Sequence, residues 1–403
     1  MSRHRKHVTR RRVLGAAGAL GLATLVPIRA RSQSAPIRLG CLNPLTGAGG
    51  ADGPRMLKAM QAVAAEVNAA GGVIGRQIEL VSDDTETNPD SGVRGARKLI
   101  DVDKVPAIMG TWASAVTTAV APLCWESKTF LTTVSGADSI TKLPHQGYLV
   151  RTQPNNHLQA QKHAEFIAER GLKRVFVLGI QAPFAVPTRD RLAEVLKANG
   201  SEMVGSIIYD KDKATYRTEI DQALKTNPDL IYLNGYVPDV TVVLKDLYRA
   251  GFTGEKFTQS YALTQKSLES MPAEVTEGTY IVQPSPSIDS PAYALAAKRS
   301  GVDHPDTYVC QSTDHISLVL LSIAKAKEAT GTAIRDAVRK ISQGSGARVY
   351  SAVDGLQLVA AGQEINYEGA SGPCDFDEIG DILDCKFRFD RVEYRQFKIV
   401  KVG

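Results

Sequence analysis

A short stretch near residue 110 combines the residue types of an anion-binding site. Residues 105–109 (VPAIM) are an apolar run typical of a buried strand, and residues 110–122 (GTWASAVTTAVAP) follow it. Ser114 stands where a helix N-cap belongs, and apolar residues recur after it with helical spacing. The first turn of such a helix has unpaired backbone N–H groups at the positive end of the dipole, and Ser114 and Thr117 add hydroxyl donors. The stretch therefore predicts an anion site, although an ordinary helix cap has the same local sequence.

The elements around this stretch alternate between strand and helix. Apolar runs predict strands at residues 37–42, 78–81 and 129–133, and helices begin at Pro54 and after Asn88. In α/β sheets, ligand sites lie at the carboxyl ends of strands, which is where the stretch falls. We therefore expect a parallel sheet with helices on both of its faces.

The same alternation begins again at Asn155. Strands are predicted at residues 175–178, 202–208 and 230–233, and the helices between them end at glycines: Gly171, Gly200 and Gly251. Mainly helical segments follow residue 284, and the chain ends in a hairpin plus a strand. The motifs GxSxG, HExxH and the P-loop are absent from the sequence, so we expect neither an enzyme nor a cofactor. Two similar lobes without a catalytic motif are typical of a protein that binds its ligand in a cleft.

The N-terminus has the composition of an export signal. Its first 35 residues hold eight Lys or Arg and no acidic residue, with the paired arginines Arg10 and Arg11 in the segment TRRRVL. The apolar run after them is short for a membrane span of roughly 20 residues. We expect a twin-arginine signal peptide over residues 1–35, cleaved between Ala30 and Pro36, and a mature protein in the periplasm. An uncleaved anchor is the alternative.

The leader also accounts for the positive net charge. The whole sequence has 48 basic and 43 acidic residues, a formal net charge of +5. Without the eight basic residues of the leader, 40 remain against 43, and the mature chain is near −3. Binding to nucleic acid therefore has no electrostatic support.

Five cysteines remain in a chain that we expect to reach an oxidising compartment. Their spacing to one another and to histidine does not suit zinc, so no metal site is predicted. Cys374 and Cys385 flank a predicted turn and fall opposite each other across a hairpin, which favours a disulfide over two free thiols. The other three, in apolar segments, are expected to be buried thiols: Cys41, Cys124 and Cys310.

A set of short motifs resembles the periplasmic branched-chain amino-acid-binding proteins, the type I solute receptors of ABC importers. The motifs follow the family's order: PLTG at 44–47, VNAAGGVIG at 67–75, DD at 83–84, GTWAS at 110–114, AVAP at 119–122, RT at 151–152, NGY at 234–236, GASGP at 369–373 and DFD at 375–377. The resemblance implies two Rossmann-like lobes with the ligand between them, joined by three crossovers near residues 148–153, 282–285 and 367–372. The lobes would be residues 36–150 with 284–368, and residues 151–283 with 369–403. Hinge closure would then create the surface that a permease recognises.

The resemblance also assigns site residues in the first lobe. Ser114 corresponds to the family serine that binds the ligand's carboxylate, and Trp112 to an apolar residue of the pocket. Val134, Ser135 and Gly136 correspond to a strand-end loop that holds the ligand through main-chain groups and a threonine hydroxyl. Gly136 stands at that threonine, so one hydroxyl is lost, and Ser135 is the residue that could replace it.

In the second lobe, Tyr236 matches a family tyrosine, and Phe184 stands where the family usually has a tyrosine over the ligand. The sequence departs from the family at Tyr261, near the place of a glutamate that neutralises the ammonium of an amino acid. Burial of an ammonium without a counter-charge costs several kcal/mol. Asp52, in the loop before the first helix, is the substitute that the sequence offers, and capping that helix is its alternative role.

The identity of the ligand stays open at this stage. The aromatic residues of both lobes could stack on a flat ligand, or each could belong to the core. A branched-chain or other hydrophobic amino acid is one expectation, and an aromatic or aliphatic carboxylate, an amide or urea is the other. Because import and sensing use the same fold, the sequence does not separate them. We expect a monomer that binds a small molecule and delivers it to an ABC permease of the inner membrane.

Overall fold

The computed structural model describes residues 35–403, so the predicted twin-arginine segment and the apolar run after it lie outside the described residues. Within residues 35–403 we find no helix with the length and hydrophobicity of a membrane span. The described chain forms two α/β lobes, each built on its own sheet. The predicted fold class is therefore confirmed.

The first lobe begins with strands and helices in alternation: β1 (Ile37–Asn43), α1 (Gly53–Ala69), β2 (Ile78–Asp84), α2 (Pro89–Arg97), β3 (Ala107–Gly110), α3 (Ser114–Glu126), β4 (Phe130–Thr133) and β5 (Leu149–Arg151). The strands pair in parallel in the order β2-β1-β3-β4-β5. One apolar cluster joins β1 to α1, and a second joins β3 and β4 to α2 and α3 on the other face. Asn88 caps α2 as predicted, because its Oδ1 accepts hydrogen bonds from the backbone N–H groups of Asp90 and Ser91.

The second lobe repeats this arrangement: α4 (Asn156–Glu169), β6 (Arg174–Ile180), α5 (Ala185–Ala198), β7 (Glu202–Tyr209), α6 (Arg217–Leu224), β8 (Leu230–Asn234), α7 (Val237–Arg249), β9 (Glu255–Gln259), α8 (Gln265–Glu269), α9 (Ala273–Thr276) and β10 (Tyr280–Pro284). The predicted glycine ends of α4, α5 and α7 have φ angles of 74°, 73° and 72°, a left-handed conformation that glycine adopts without strain.

The chain then returns to the first lobe with α10 (Pro291–Ser300), α11 (Thr307–Ala326), α12 (Gly331–Ser342), β11 (Ala347–Val349), α13 (Ala352–Ala360) and β12 (Ile365–Tyr367). Helix α11 is buried against α1 in the core of that lobe. A final hairpin, β13 (Phe387–Glu393) and β14 (Gln396–Val402), completes the second sheet in the order β14-β13-β10-β9-β8-β6-β7. The chain thus crosses between the lobes three times, as predicted.

The third crossing lies later in the chain than the expected residues 367–372. Cys374 and Phe376 are buried in the core of the first lobe. The turn after them bonds to β5, where the backbone N–H of Arg151 donates to the carbonyl oxygen of Gly380 at 2.9 Å. The chain enters the second sheet only at Phe387. Residues 374–380 therefore pack with the first lobe and not with the second, to which the sequence analysis assigned them.

The predicted disulfide between Cys374 and Cys385 is wrong. A turn does lie between them, with Phe376 and Ile382 paired across it, but both thiols are free. Cys374 is buried in the core of the first lobe, whereas Cys385 packs against the core of the second lobe. The two side chains are directed into different cores because the chain crosses between the lobes here. The remaining three cysteines are buried free thiols, as predicted: Cys41, Cys124 and Cys310.

Helix α11 holds the first crossing and a first-lobe segment, Ala370–Ser371, that leads towards the third. The carboxylate of Asp314 accepts hydrogen bonds from the backbone N–H groups of Ala370 and Ser371, both at 2.8 Å. On the first crossing, Gln311 Nε2 donates to the carbonyl oxygen of Thr152 at 3.1 Å. Because both segments are fixed to one buried helix, separation of the lobes has to proceed by hinge bending next to α11.

We expect all five cysteines to remain thiols in the exported protein, because Cys374 and Cys385 lie in separate cores. Alkylation of the denatured, unreduced protein should add as many groups as alkylation after reduction, as measured by intact-mass spectrometry. Two fewer groups on the unreduced protein, mapped to these two residues, would contradict the structure.

Candidate functional site

A small cavity of about 30 Å³ lies where the two lobes meet. Both lobes contribute to its wall, which consists of Trp112, Ser114, Val134, Gly136, Gln153, Asn156, Gln159, Phe184, Tyr236, Tyr261 and Tyr308. Among the predicted site residues, Asp52 and Ser135 lie outside this wall. The cavity has room for about two water molecules, so the wall residues nearly fill the space themselves. A ligand the size of an amino acid can enter only when the lobes separate.

Helix α3 begins at the cavity because the chain turns sharply after β3. Gly110 has a φ of 109°, and a Cβ there would lie 2.4 Å from Asn43 Oδ1, so this close approach requires glycine. Ala113 is the N-cap and Ser114 the first helical residue, one position away from the prediction. The first intrahelical bond runs from Thr117 N–H to the carbonyl oxygen of Ala113 (3.0 Å), which leaves the preceding N–H groups of the first turn free for an anion.

Ser114 is buried at this helix start, with 4% of its surface exposed. Its Oγ accepts a hydrogen bond from the backbone N–H of Ala137 at 3.2 Å. A serine hydroxyl that accepts one bond still has its own proton to donate. The accepted bond fixes the helix start against the loop after β4, which supplies Val134 and Gly136 to the wall.

Thr117 and Ser135, which were predicted to offer hydroxyls to the ligand, instead support the loops from below. Their side-chain oxygens lie 2.5 Å apart, and Ser135 Oγ donates to the carbonyl oxygen of Trp112 at 3.0 Å. The hydroxyl of Thr133 joins them and donates to the carbonyl oxygen of Thr111 at 2.7 Å. In this structure both hydroxyls are therefore engaged in internal hydrogen bonds beneath the cavity.

Two side-chain amides that the sequence analysis missed lie against Gly136. A Cβ at this position would lie 2.3 Å from Asn156 Oδ1 and 2.9 Å from Gln159 Nε2, so the amides occupy the space of a side chain. Asn156 Nδ2 also donates to the carbonyl oxygen of Phe184 at 3.1 Å. With Gln153, these amides form the polar part of the wall. The sequence analysis noted only that the alternation begins again at Asn155; the residue Asn155 as a helix N-cap is the signal that could have found them.

Five aromatic rings form the apolar part of the wall and meet across the lobes. The ring centroid of Trp112 lies 5.1 Å from that of Tyr236 and 6.0 Å from that of Tyr261, and Phe184 lies 5.5 Å from Tyr236. Tyr308, at the start of α11, lies 6.2 Å from Trp112 and was predicted only as a helix residue. Tilted and edge-to-face pairs at these distances are favourable, so the rings stabilise the closed lobes.

The cavity wall contains no Asp, Glu, Lys, Arg or His among the described residues. Burial raises the pKa values of Tyr236, Tyr261 and Tyr308 above their ordinary value, so these hydroxyls are neutral at physiological pH. Within residues 35–403, the positive end of α3 therefore favours an anion at this wall, and α4 and α7 also begin there, at Asn156 and next to Tyr236.

Asp52 lies outside the wall of this cavity, and its alternative role as the cap of α1 is wrong. It precedes α1 but makes no side-chain capping bond. Its carboxylate pairs with Arg55, which also bonds Asp306 at 2.5 Å. These residues line a separate groove of about 490 Å³ between the lobes, which shares Tyr308 with the cavity. Burial raises the pKa of Asp52 to about 7 despite the charge of Arg55. The carboxylate is thus paired with an arginine and does not line the cavity.

Comparisons with known proteins agree with this architecture. A profile of the periplasmic binding protein family matches residues 36–380. The chain is 27% identical over 351 residues to the chemotactic signal transduction system substrate-binding protein BasB of Halobacterium salinarum, which covers 84% of this chain and 83% of that protein.

Solved structures are similar in fold. The leucine-binding protein LivK of Thermotoga maritima superposes with a TM-score of 0.78 at 22% identity, over 91% of this chain and 98% of that one. A solute-binding protein of an ABC transporter from Rhodopseudomonas palustris, in complex with 3,4-dihydroxybenzoic acid, superposes with a TM-score of 0.74 at 19% identity, over 92% and 97% of the two chains. Because the family profile spans most of the sequence and the fold agrees, the chain belongs to the periplasmic binding protein family, as its motifs predicted.

Proposed function

We propose that this protein captures a small carboxylate that carries no ammonium group, and that the preferred ligand is a small aromatic acid of the benzoate type. The observation that carries the proposal is the charge of the cavity wall. The wall combines the positive end of α3 with no acidic side chain among the described residues. An anion is favoured at such a helix end, whereas an ammonium would be buried without a partner.

The aromatic wall supports a flat ligand. Trp112, Phe184, Tyr236, Tyr261 and Tyr308 surround the cavity from both lobes, and an aromatic ring could replace their contacts with one another when the lobes open. A structurally similar solute-binding protein was solved with 3,4-dihydroxybenzoic acid, which belongs to this ligand class. A branched-chain amino acid is the second candidate, because LivK is named a leucine-binding protein. The missing acidic partner for an ammonium counts against it.

The twin-arginine leader would carry the chain to the periplasm, where the closed, ligand-bound monomer would dock on an ABC permease. A role in sensing is the alternative for the same ligand, since the relative from Halobacterium salinarum is named a chemotactic signal transduction protein. Neither role requires the protein to change its ligand chemically.

Thermal unfolding tests the ligand class directly. Benzoate at 100 times its Kd should raise the free energy of unfolding by about 2.7 kcal/mol. Benzamide has the same ring without the negative charge and serves as the matched control. We expect a large shift with benzoate and a small one with benzamide. A shift with leucine and none with benzoate would overturn the proposal.

Two substitutions, at Ser114 and at Asp52, should show which of these residues contacts the ligand and which only forms an ion pair. Ser114→Ala removes one charge-assisted hydrogen bond and should weaken benzoate roughly tenfold to a hundredfold in titration calorimetry. Asp52→Asn should leave the benzoate affinity unchanged, because Asp52 pairs with Arg55 outside the cavity. An unchanged affinity in Ser114→Ala would refute the anion site, and a large loss in Asp52→Asn would place Asp52 at the ligand.

Asp52→Asn should also change how the free energy of unfolding depends on pH, which provides an independent check that the buried Asp52 carboxyl has been removed. The folded protein holds the proton of Asp52 up to a pH of about 7, whereas the unfolded chain releases it near its ordinary pKa of about 4. Ionisation of Asp52 therefore lowers the free energy of unfolding of the wild type as the pH rises through this range. Asp52→Asn lacks this loss, so its stability relative to the wild type should increase from pH 4 to pH 7 in thermal unfolding.

A further inference from the structure

Arg151 has the largest fully buried side chain of the described residues. It lies outside the cavity but is hydrogen-bonded to the loop after β4, which forms part of the cavity wall. It ends β5, just before the first crossing, and its side chain is 0% exposed. Its Nε donates to Asp381 Oδ1 at 2.6 Å, which forms a buried ion pair with the turn that precedes the third crossing. A buried arginine without its partner is strongly destabilising, so the pair fixes the relative positions of these two segments.

One branch of this network reaches the anion site. Arg151 Nη1 donates to the carbonyl oxygens of Ser135 (3.3 Å) and Ala137 (2.8 Å), and Nη2 donates to Thr141 Oγ1 at 3.2 Å. The N–H of Ala137 in turn donates to the Oγ of Ser114. The guanidinium therefore holds the loop after β4 in the position that orients the start of α3.

A second branch reaches the amide side of the cavity. Asp381 Oδ2 accepts a hydrogen bond from Asn155 Nδ2 at 3.0 Å, and Asn155 Oδ1 caps α4 by accepting from Leu158 N–H at 2.8 Å. The first turn of α4 places Asn156 and Gln159 in the cavity wall. The ion pair thus touches neither the cavity nor a ligand, yet it is bonded to segments on both sides of the cavity.

We propose that Arg151, through its ion pair with Asp381, is a positioning residue that sets the mutual orientation of the α3 start and the α4 start, and thereby the ligand affinity of the cavity. The inference rests on the ligand site proposed above. A lysine at this position would keep the positive charge, but it lacks the planar fork that bonds several acceptors at once. Burial works to raise the pKa of Asp381, but the hydrogen bond and charge of Arg151 hold it below its ordinary value, so the partner remains charged.

The test compares Arg151→Lys with Arg388→Lys. Arg388 pairs with the buried Asp390 in β13 and lines the separate groove but not the cavity, so it serves as the matched control. The first readout needs no ligand. In a Trp125→Phe background, Trp112 is the only remaining tryptophan, and its fluorescence quenching by acrylamide reports the geometry of the cavity. The second readout is the Kd of benzoate by titration calorimetry below the unfolding transition of both variants.

We expect Arg151→Lys to weaken benzoate roughly tenfold or more and to increase the quenching of Trp112, whereas Arg388→Lys should change neither beyond about twofold. Equal effects of both variants, or a folded Arg151→Lys protein with wild-type quenching and affinity, would overturn the proposal. If the wild type does not bind benzoate, the proposed function fails, and the quenching comparison still decides the role of Arg151. If Arg151→Lys does not fold, Asn155→Ala removes the branch to α4, and Thr141→Val removes the Nη2 contact of the guanidinium that holds the loop after β4. Unchanged quenching in both variants would refute the network.

Discussion

The free N–H groups at the start of α3 are the constraint on which the cavity depends. They present partial positive charge to a space whose wall, in the described part of the chain, holds no ionised side chain. In such an environment an unpaired charge is costly, whereas an anion bonded by several N–H groups is favoured. The composition of the wall therefore selects the charge of the ligand before its shape is considered.

Polar residues behind the wall fix the geometry of this helix start. Hydroxyls of Thr117, Thr133 and Ser135 bond the loops after β3 and β4 to each other, and Arg151 holds the second of these loops through its carbonyl oxygens. These groups lie beneath the site and leave the cavity itself to aromatic rings, amides and Ser114. Helix α11 adds a further buried support, because Asp314 bonds the backbone N–H groups of Ala370 and Ser371 in the segment that leads towards the third crossing.

The aromatic wall and the hinge act on the same equilibrium. In the closed structure the rings of both lobes fill most of the space, so an entering ligand exchanges ring–ring contacts for ring–ligand contacts. A ligand is bound tightly only if its contacts with the rings and its bonds to the α3 start stabilise the complex by more than the ring–ring contacts that it displaces. The affinity therefore depends on the balance between the empty closed form and the ligand-bound one.

Local patterns in the sequence were sufficient to predict strands β1–β4 and β6–β8, the final hairpin, the starts of α1, α2 and α3 to within one residue, and the family. Glycines such as Gly171 and caps such as Asn88 act within a few residues, so their effects are visible in the sequence itself.

The errors arose where the outcome depends on contacts distant in the chain. Cys374 and Cys385 are separated by a lobe crossing, and Asp52 is paired with Arg55, which also bonds the distant Asp306. Tyr308 enters the cavity from a helix distant in the chain from Trp112, whose ring it faces, and no local pattern indicates this.

The central claim is that the site accepts a carboxylate and rejects an ammonium. Calorimetric titration of the wild-type protein with 4-methylpentanoate and with leucine tests it most directly, because these ligands differ only in the α-ammonium group. We expect tighter binding of 4-methylpentanoate, since the cavity wall offers the ammonium no partner. Tighter binding of leucine would contradict it.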